Sequence, residues 1–151
     1  MFPQKTFLRI LVGVDGSESS FKAADNAISL AKHYGSELIA IHVIPSKSAM
    51  GHSSGVFGVV TPAFLKKVTE EAEMWFAVIK KNTEQLSISL KTQIISTGES
   101  PIKEIVKFAH REEVDLIVVG TRGRSGIKRM LPGSTLFGVV TYAHCPVFIV
   151  K

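Results

Sequence analysis

Residues 7–17, FLRILVGVDGS, pass from an almost continuous apolar run into a polar turn. A strand of a parallel sheet has this composition when helices cover both of its faces. We therefore predict a central strand over Phe7–Val14 and a turn over Asp15–Ser17. Beyond the turn, apolar residues recur at helical spacing until Gly35, which is placed to end a helix in the left-handed conformation. They are Ala24, Ala27, Ile28 and Ala31.

The same succession of strand and helix is repeated along the chain. Two later helices are predicted to begin at Thr61-Pro62 and Ser100-Pro101, because each pair offers an N-cap followed by proline at the first helical position. The first of these carries an apolar stripe of Leu65, Val68, Ala72, Trp75, Phe76 and Ile79, and a last helix carries Leu136, Val139, Val140 and Ala143. Further strands are predicted over Leu38–Ile44, Ile88–Ile94, Val114–Val119 and Val147–Val150.

Four strand-helix units followed by a strand favour an α/β fold with a doubly wound five-stranded parallel sheet sandwiched by four helices. Parallel neighbours need a crossover of helical size, which each helix supplies. Ile88–Ile94 alternates apolar and polar residues, so we expect this strand near a sheet edge. Ligands bind such sheets beyond the carboxyl ends of the strands, where the strand order reverses. The turns after the first, second and fourth strands are therefore the candidate site.

Composition limits the class of protein. The 151 residues are 45% hydrophobic and 21% charged with a net charge of +5, which indicates one globular domain over 1–151. No signal peptide or membrane-spanning run is recognisable, so we expect a cytoplasmic protein without a membrane partner. The single Cys145 predicts a buried core thiol. Residues 45–61 are long for a connection, and we expect a flexible or lid-like loop there.

The loop GTRGRSGIKRMLPGST, residues 120–135, follows a predicted buried strand and precedes a predicted helix. Its glycines allow close approach of a backbone, and the amides of a helix start attract anions. Four cations strengthen that field: Arg122, Arg124, Lys128 and Arg129. A phosphate is the ligand favoured, and a flexible glycine-rich connector is the alternative. Neither the Walker A pattern nor GxGxxG is present.

The spacing Gly120-x2-Gly123-x9-Gly133-Ser134 resembles the G-x2-G-x9-G-[ST] signature of the universal stress protein family, in its ATP-binding branch. Four further stretches resemble that family: Val12–Ser17, Ile41–Val43, Thr97–Pro101 and Cys145–Val150. The resemblance extends over essentially the whole chain. It implies an adenine nucleotide alpha hydrolase-like fold with strand order 3-2-1-4-5.

The resemblance also implies a ligand and a set of contacts. The ligand would be ATP or another adenine nucleotide, with Mg²⁺ or Mn²⁺ bound through the phosphates. Asp15 and the backbone near Val14 and Val43 would lie along adenine and ribose. The loop would hold ribose and phosphates through Gly120, Arg122, Gly123, Gly133, Ser134 and Thr135, and Gly13, Val119 and Leu136 complete the predicted site. The family commonly forms homodimers through its last strand.

We therefore expect a homodimeric stress-response regulator that binds ATP without rapid hydrolysis. The alternatives are a slow ATPase or phosphotransferase and an interaction domain that has lost nucleotide binding. Asp15 could instead be only a helix cap, and Arg122 and Arg124 solvated loop charges. The five histidines show no metal-ligand or catalytic spacing, so we predict structural or surface roles for His33, His42, His52, His110 and His144. Trp75 and Phe76 are predicted core residues. In no run do basic residues alternate with exposed aromatics, so we expect no nucleic-acid partner.

Overall fold

The computed structural model describes residues 6–46, 60–121 and 134–151. Its sheet contains five parallel strands in the order β3-β2-β1-β4-β5. The strands are β1 (Arg9–Gly13), β2 (Glu37–Pro45), β3 (Leu90–Thr97), β4 (Leu116–Gly120) and β5 (Val147–Val150). The predicted architecture and strand order are both confirmed.

Within the described ranges four helices connect the strands: α1 (Glu18–Tyr34), α2 (Pro62–Gln85), α3 (Pro101–Arg111) and α4 (Ser134–Tyr142). Thr61 and Ser100 are the N-caps of α2 and α3, and each side chain accepts a hydrogen bond from a backbone N–H of the first turn. Gly35 ends α1 with a φ of 67°, in the left-handed region. Short polar side chains and proline therefore fix the helix starts as predicted from the sequence.

The apolar run of β1 divides between two hydrophobic layers. Ile10 and Val12 pack with α1 and α2 on one face of the sheet, and Leu11 packs with α3 and α4 on the other. Successive strand residues face opposite sides, so a strand covered on both sides has to be apolar throughout. Val140 departs from the predicted apolar face of α4, because it points outward and is half-exposed.

Three predictions about edges and burial are corrected. β1 is shorter than Phe7–Val14, because its pairing with β2 begins at Arg9 and ends at Gly13. Leu8, before this pairing begins, is 67% exposed. β3 begins two residues later than predicted and continues to Thr97, paired along its whole length with β2. Cys145 is half-buried beside the α3 and α4 layer instead of fully buried. Of the predicted 45–61 loop, residues 47–59 lie outside the described residues.

β1 and β4 are joined at their amino ends by Asp115. Its carboxylate accepts hydrogen bonds from the backbone N–H groups of Leu8 and Arg9, at 2.8 and 2.9 Å. The Arg9 guanidinium donates in turn to the Glu112 carbonyl at 2.8 Å. The two central strands are thus held in register at one end by charged hydrogen bonds, and their carboxyl ends lie side by side at the other.

Candidate functional site

The strand order reverses between β1 and β4. From β1 the chain adds β2 and β3 on one side, and it then returns to add β4 and β5 on the other. Gly13 and Gly120 are the last residues of β1 and β4. Because the helices after the two strands lie on opposite faces of the sheet, a crevice opens where these two ends meet. The candidate site predicted from the sequence lies here, at the carboxyl ends of the strands.

The turn after β1 is built from short polar side chains. The Asp15 carboxylate accepts a hydrogen bond from the Ser17 N–H at 2.9 Å. The Ser17 hydroxyl caps α1 by accepting from the Ser20 N–H at 3.1 Å. The buried Ser20 hydroxyl donates back to the Ser17 carbonyl at 2.9 Å. Ser17, not Asp15, is therefore the helix cap, and Asp15 orders the turn that precedes it.

Trp75 of α2 packs directly on this turn. Gly16 has a φ of +81°, and a Cβ built on it would lie 2.6 Å from Cε2 of the Trp75 indole. Trp75 is only partly buried, whereas Phe76 is buried in the same layer. Of the two predicted core residues, Phe76 is confirmed and Trp75 lies at the margin, where it supports the Asp15 turn.

Gly120 brings β4 against the first turn of α1. A Cβ on Gly120 would lie 2.7 Å from the Ser19 carbonyl oxygen. The next residue, Thr121, donates its backbone N–H to the Val150 carbonyl at 3.0 Å, which continues the pairing of β4 with β5. The packing of β4 against α1 thus requires a glycine at position 120, in addition to any contact that Gly120 makes with a ligand. By contrast, a Cβ on Gly13 would meet nothing within 4 Å.

His42 makes a contact at this edge that the sequence did not reveal. Its Nδ1 lies 2.7 Å from the Val14 carbonyl oxygen, and its ring meets Trp75 edge-on with centroids 5.1 Å apart. The only available signal was its position, since it lies at the carboxyl end of a predicted buried strand beside the candidate Val43. His42 therefore contacts the backbone of Val14, which is one of the predicted site residues.

Three of the four apolar candidates share one layer, whereas Val14 is buried in the layer on the α1 and α2 face. Val119, near the end of β4, is buried, and Val43 and Leu136 pack partly against the same cluster on the α3 and α4 face. α4 begins at Ser134. Only the backbone of Ser134 and Thr135 is described. The predicted phosphate contacts Arg122, Gly123 and Gly133 lie outside the described residues.

Titratable side chains near this edge form surface ion pairs. Glu99, in the turn before α3, accepts a hydrogen bond from Lys107 at 2.6 Å. This hydrogen bond, together with the charge of Lys107, lowers the pKa of the Glu99 carboxyl. The same hydrogen bond, together with the charge of Glu99, raises the pKa of the Lys107 ammonium. Over the described ranges, no group of three or more His, Cys, Asp or Glu residues could hold a metal ion. Within those same ranges, no helix has the length and apolar character needed to cross a bilayer.

Fold and sequence are shared with known proteins. The family model described as Universal stress protein family matches residues 6–151. Universal stress protein MJ0531 of Methanocaldococcus jannaschii is 34% identical over 148 residues, which cover 98% of this chain and 84% of that protein. The solved structure of MJ0577, from the same organism, has a TM-score of 0.78 at 30% identity and covers 97% of each chain.

A universal stress protein from Archaeoglobus fulgidus, solved in complex with dAMP, has a TM-score of 0.69 over 97% of this chain and 100% of its own. At 21% identity this likeness is one of fold. The family model and the identity to MJ0531, each extending over nearly the whole chain, lead to one conclusion: the chain belongs to the universal stress protein family.

Proposed function

We propose that this protein binds an adenine nucleotide, in particular ATP, at the crevice between the carboxyl ends of β1 and β4. One observation carries the proposal: the spaced glycine signature begins at the last residue of β4, Gly120, and ends at the first residue of α4, Ser134. It therefore occupies the connection at which a doubly wound sheet binds its ligand. The dAMP complex of a family member with the same fold supports the choice of adenine.

The two sides of the crevice suit different parts of a nucleotide. The side formed by β1 and β2 offers the Val43 backbone and the ordered Asp15 carboxylate for base and ribose. The backbone N–H and carbonyl of Val14, at the same edge, are hydrogen-bonded to Ile41 and His42. The other side offers the backbone amides at the start of α4, which favour phosphate. Arg122, Gly123, Gly133, Ser134 and Thr135 would complete the phosphate contacts, and Mg²⁺ or Mn²⁺ would be bound through the phosphates.

We further propose that the protein works as a nucleotide-dependent regulator and not as a fast ATPase. Hydrolysis needs a base placed to activate water. In the described part of the crevice, the Asp15 carboxylate follows β1 and accepts a hydrogen bond from the Ser17 N–H, which holds it in the turn. A slow ATPase remains the alternative that phosphate-release measurements on purified protein would identify.

Binding is tested by thermal unfolding with ATP and Mg²⁺. At a ligand concentration of about 100 times Kd, the free energy of unfolding rises by about 2.7 kcal/mol, which corresponds to roughly 5–10 °C in Tm. Gly123→Val should abolish the shift, because the signature needs a glycine there. Gly126→Val is the matched control, since Gly126 lies in the same loop but outside the signature. Equal Tm values with and without ATP in the unsubstituted protein would refute nucleotide binding.

The proposed homodimer forms through β5. This strand lies at the sheet edge and pairs with β4. Its Phe148 and Ile149 are 41% and 44% exposed, and Phe137 and Tyr142 of the neighbouring α4 are 75% and 70% exposed. Pairing of two β5 strands about a twofold axis would satisfy the open backbone groups and cover apolar side chains.

Sedimentation velocity measures this assembly. We expect a dimer for the unsubstituted chain and a monomer for Ile149→Lys, because a charge would be buried at the paired edge. Val78→Lys is the control, since Val78 is similarly exposed but lies on α2. A monomeric unsubstituted chain at micromolar concentration would rule out the proposed dimer.

A further inference from the structure

The hydrogen-bond ladder between β1 and β2 stops at the edge of the crevice. Its last residue pair is Gly13 with Ile41, and the Val14 N–H still donates to the Ile41 carbonyl at 2.8 Å. In a parallel ladder the next bond would run from the Val43 N–H to the Val14 carbonyl. Among the described residues this bond is not made.

The Val43 N–H nevertheless points toward β1. The Glu37 N–H donates to the Leu8 carbonyl on the β1 side, whereas the Leu38 N–H donates to the Ser89 carbonyl on the β3 side. Backbone N–H groups alternate in direction along a strand, so the N–H groups of the odd-numbered residues of β2 point toward β1. The Val43 N–H is therefore directed toward β1, at the level of Val14.

The Val14 carbonyl is hydrogen-bonded to a side chain and not to that N–H. The His42 Nδ1 lies 2.7 Å from the carbonyl oxygen. Since a carbonyl oxygen can only accept, the His42 ring has to carry a proton on Nδ1. The ring is held in place by its edge-on contact with Trp75, at an interplanar angle of 88°. Residues of both β2 and α2 therefore fix the orientation of this hydrogen bond.

We propose that His42 is a positioning residue for nucleotide recognition. By binding the Val14 carbonyl, it keeps the Val43 N–H out of the ladder and available to a hydrogen-bond acceptor on the edge of the base. A backbone N–H that loses water on ligand binding needs an acceptor in return. A ring nitrogen of adenine supplies one. This inference rests on the proposed nucleotide site and adds to it the residue that exposes the base-reading amide.

Deaza analogues of ATP test the inference, because each replaces one ring nitrogen by a CH group that cannot accept. We expect one of the 1-, 3- and 7-deaza analogues to bind the unsubstituted chain about 3- to 10-fold more weakly than ATP. In His42→Phe this ratio should fall to about 1–2, since the ring beside Trp75 is kept and the donor is lost. In His42→Asn the ratio should persist, because the amide nitrogen of Asn can replace Nδ1.

The outcomes separate positioning from general structural damage. If His42→Phe weakens ATP, all three analogues and inorganic tripolyphosphate by one common factor, the inference is overturned. It is also overturned if ATP binds the unsubstituted chain and no analogue differs from it, while the proposed nucleotide site survives. No ATP binding to the unsubstituted chain would overturn both.

Hydrogen exchange supplies a measurement that needs neither a variant nor a nucleotide. In the unsubstituted chain the Val43 amide should exchange faster than the amides of Ile39 and Ile41, which lie within the ladder. A Val43 amide as protected as those two would overturn the inference even if His42→Phe failed to fold.

Discussion

Replacing Gly120 by alanine should destabilise the protein, whereas the same replacement at Gly13 should not. The two glycines end neighbouring central strands at the same edge of the sheet. A Cβ on Gly120 would lie 2.7 Å from the carbonyl oxygen and 2.8 Å from the carbonyl carbon of Ser19. A Cβ on Gly13 would meet nothing within 4 Å. The pair therefore isolates the close approach of β4 to α1.

The magnitude follows from the distance. Ordinary van der Waals contact begins near 3.4 Å, so β4 and the first turn of α1 have to separate by about 0.7 Å. The Ser19 backbone is part of α1 and cannot rotate away as a side chain would. Overpacking of this kind costs about 1–3 kcal/mol. The φ of Gly13 is not positive. Alanine there should leave the free energy of unfolding unchanged, or raise it by up to about 1 kcal/mol because it lowers the conformational entropy of the unfolded chain.

Urea unfolding followed by far-ultraviolet circular dichroism measures both free energies. ATP titration then distinguishes stability from binding: Gly13→Ala should weaken ATP binding without loss of stability, because its methyl group enters the crevice. Gly120→Ala should lower the free energy of unfolding whether or not ATP is present. Equal free energies of unfolding for the two variants would refute the assigned packing role of Gly120.

Three further predictions concern the turns around the crevice. Gly16→Ala should cost at least about 1–2 kcal/mol, because Gly16 combines a positive φ with the Trp75 contact, and chemical unfolding measures the loss. Ser17→Ala should cost about 1 kcal/mol through loss of the α1 cap, by the same assay. Lys107→Met should raise the pKa of Glu99 toward its ordinary value in an NMR titration. Since the folded-state pKa is lowered, any stability from this pair is present above the ordinary pKa and lost as pH falls through the lowered one.

Most of the fold was predictable because it depends on local patterns. Continuous apolar runs marked the strands that are covered on both faces, and Thr61 and Ser100 marked helix starts through interactions within one turn. The strand ends were less accurate. Whether a strand includes Leu8 or Thr97 depends on whether a neighbouring strand extends far enough to pair with it. A run of apolar residues does not encode the length of the neighbouring strand.

The candidate site was predictable in its location and less so in its contacts. Strand succession and glycine spacing placed it at the ends of β1 and β4, but they gave no sign that Gly120 packs against Ser19. Nor did they indicate that His42 binds the Val14 carbonyl. Both contacts join residues that are distant in sequence, and their geometry follows from how the layers pack.

The pairing of β1 with β4 has a consequence for synthesis on the ribosome. The Asp115 carboxylate binds the backbone of Leu8 across 107 residues, so the middle of the sheet closes only after about three quarters of the chain has emerged. Until then β1, with its fully buried Ile10, Leu11 and Val12, presents an open apolar edge to other nascent chains and to chaperones. The crevice cannot exist before that closure, so nucleotide binding would report that β1 and β4 have paired.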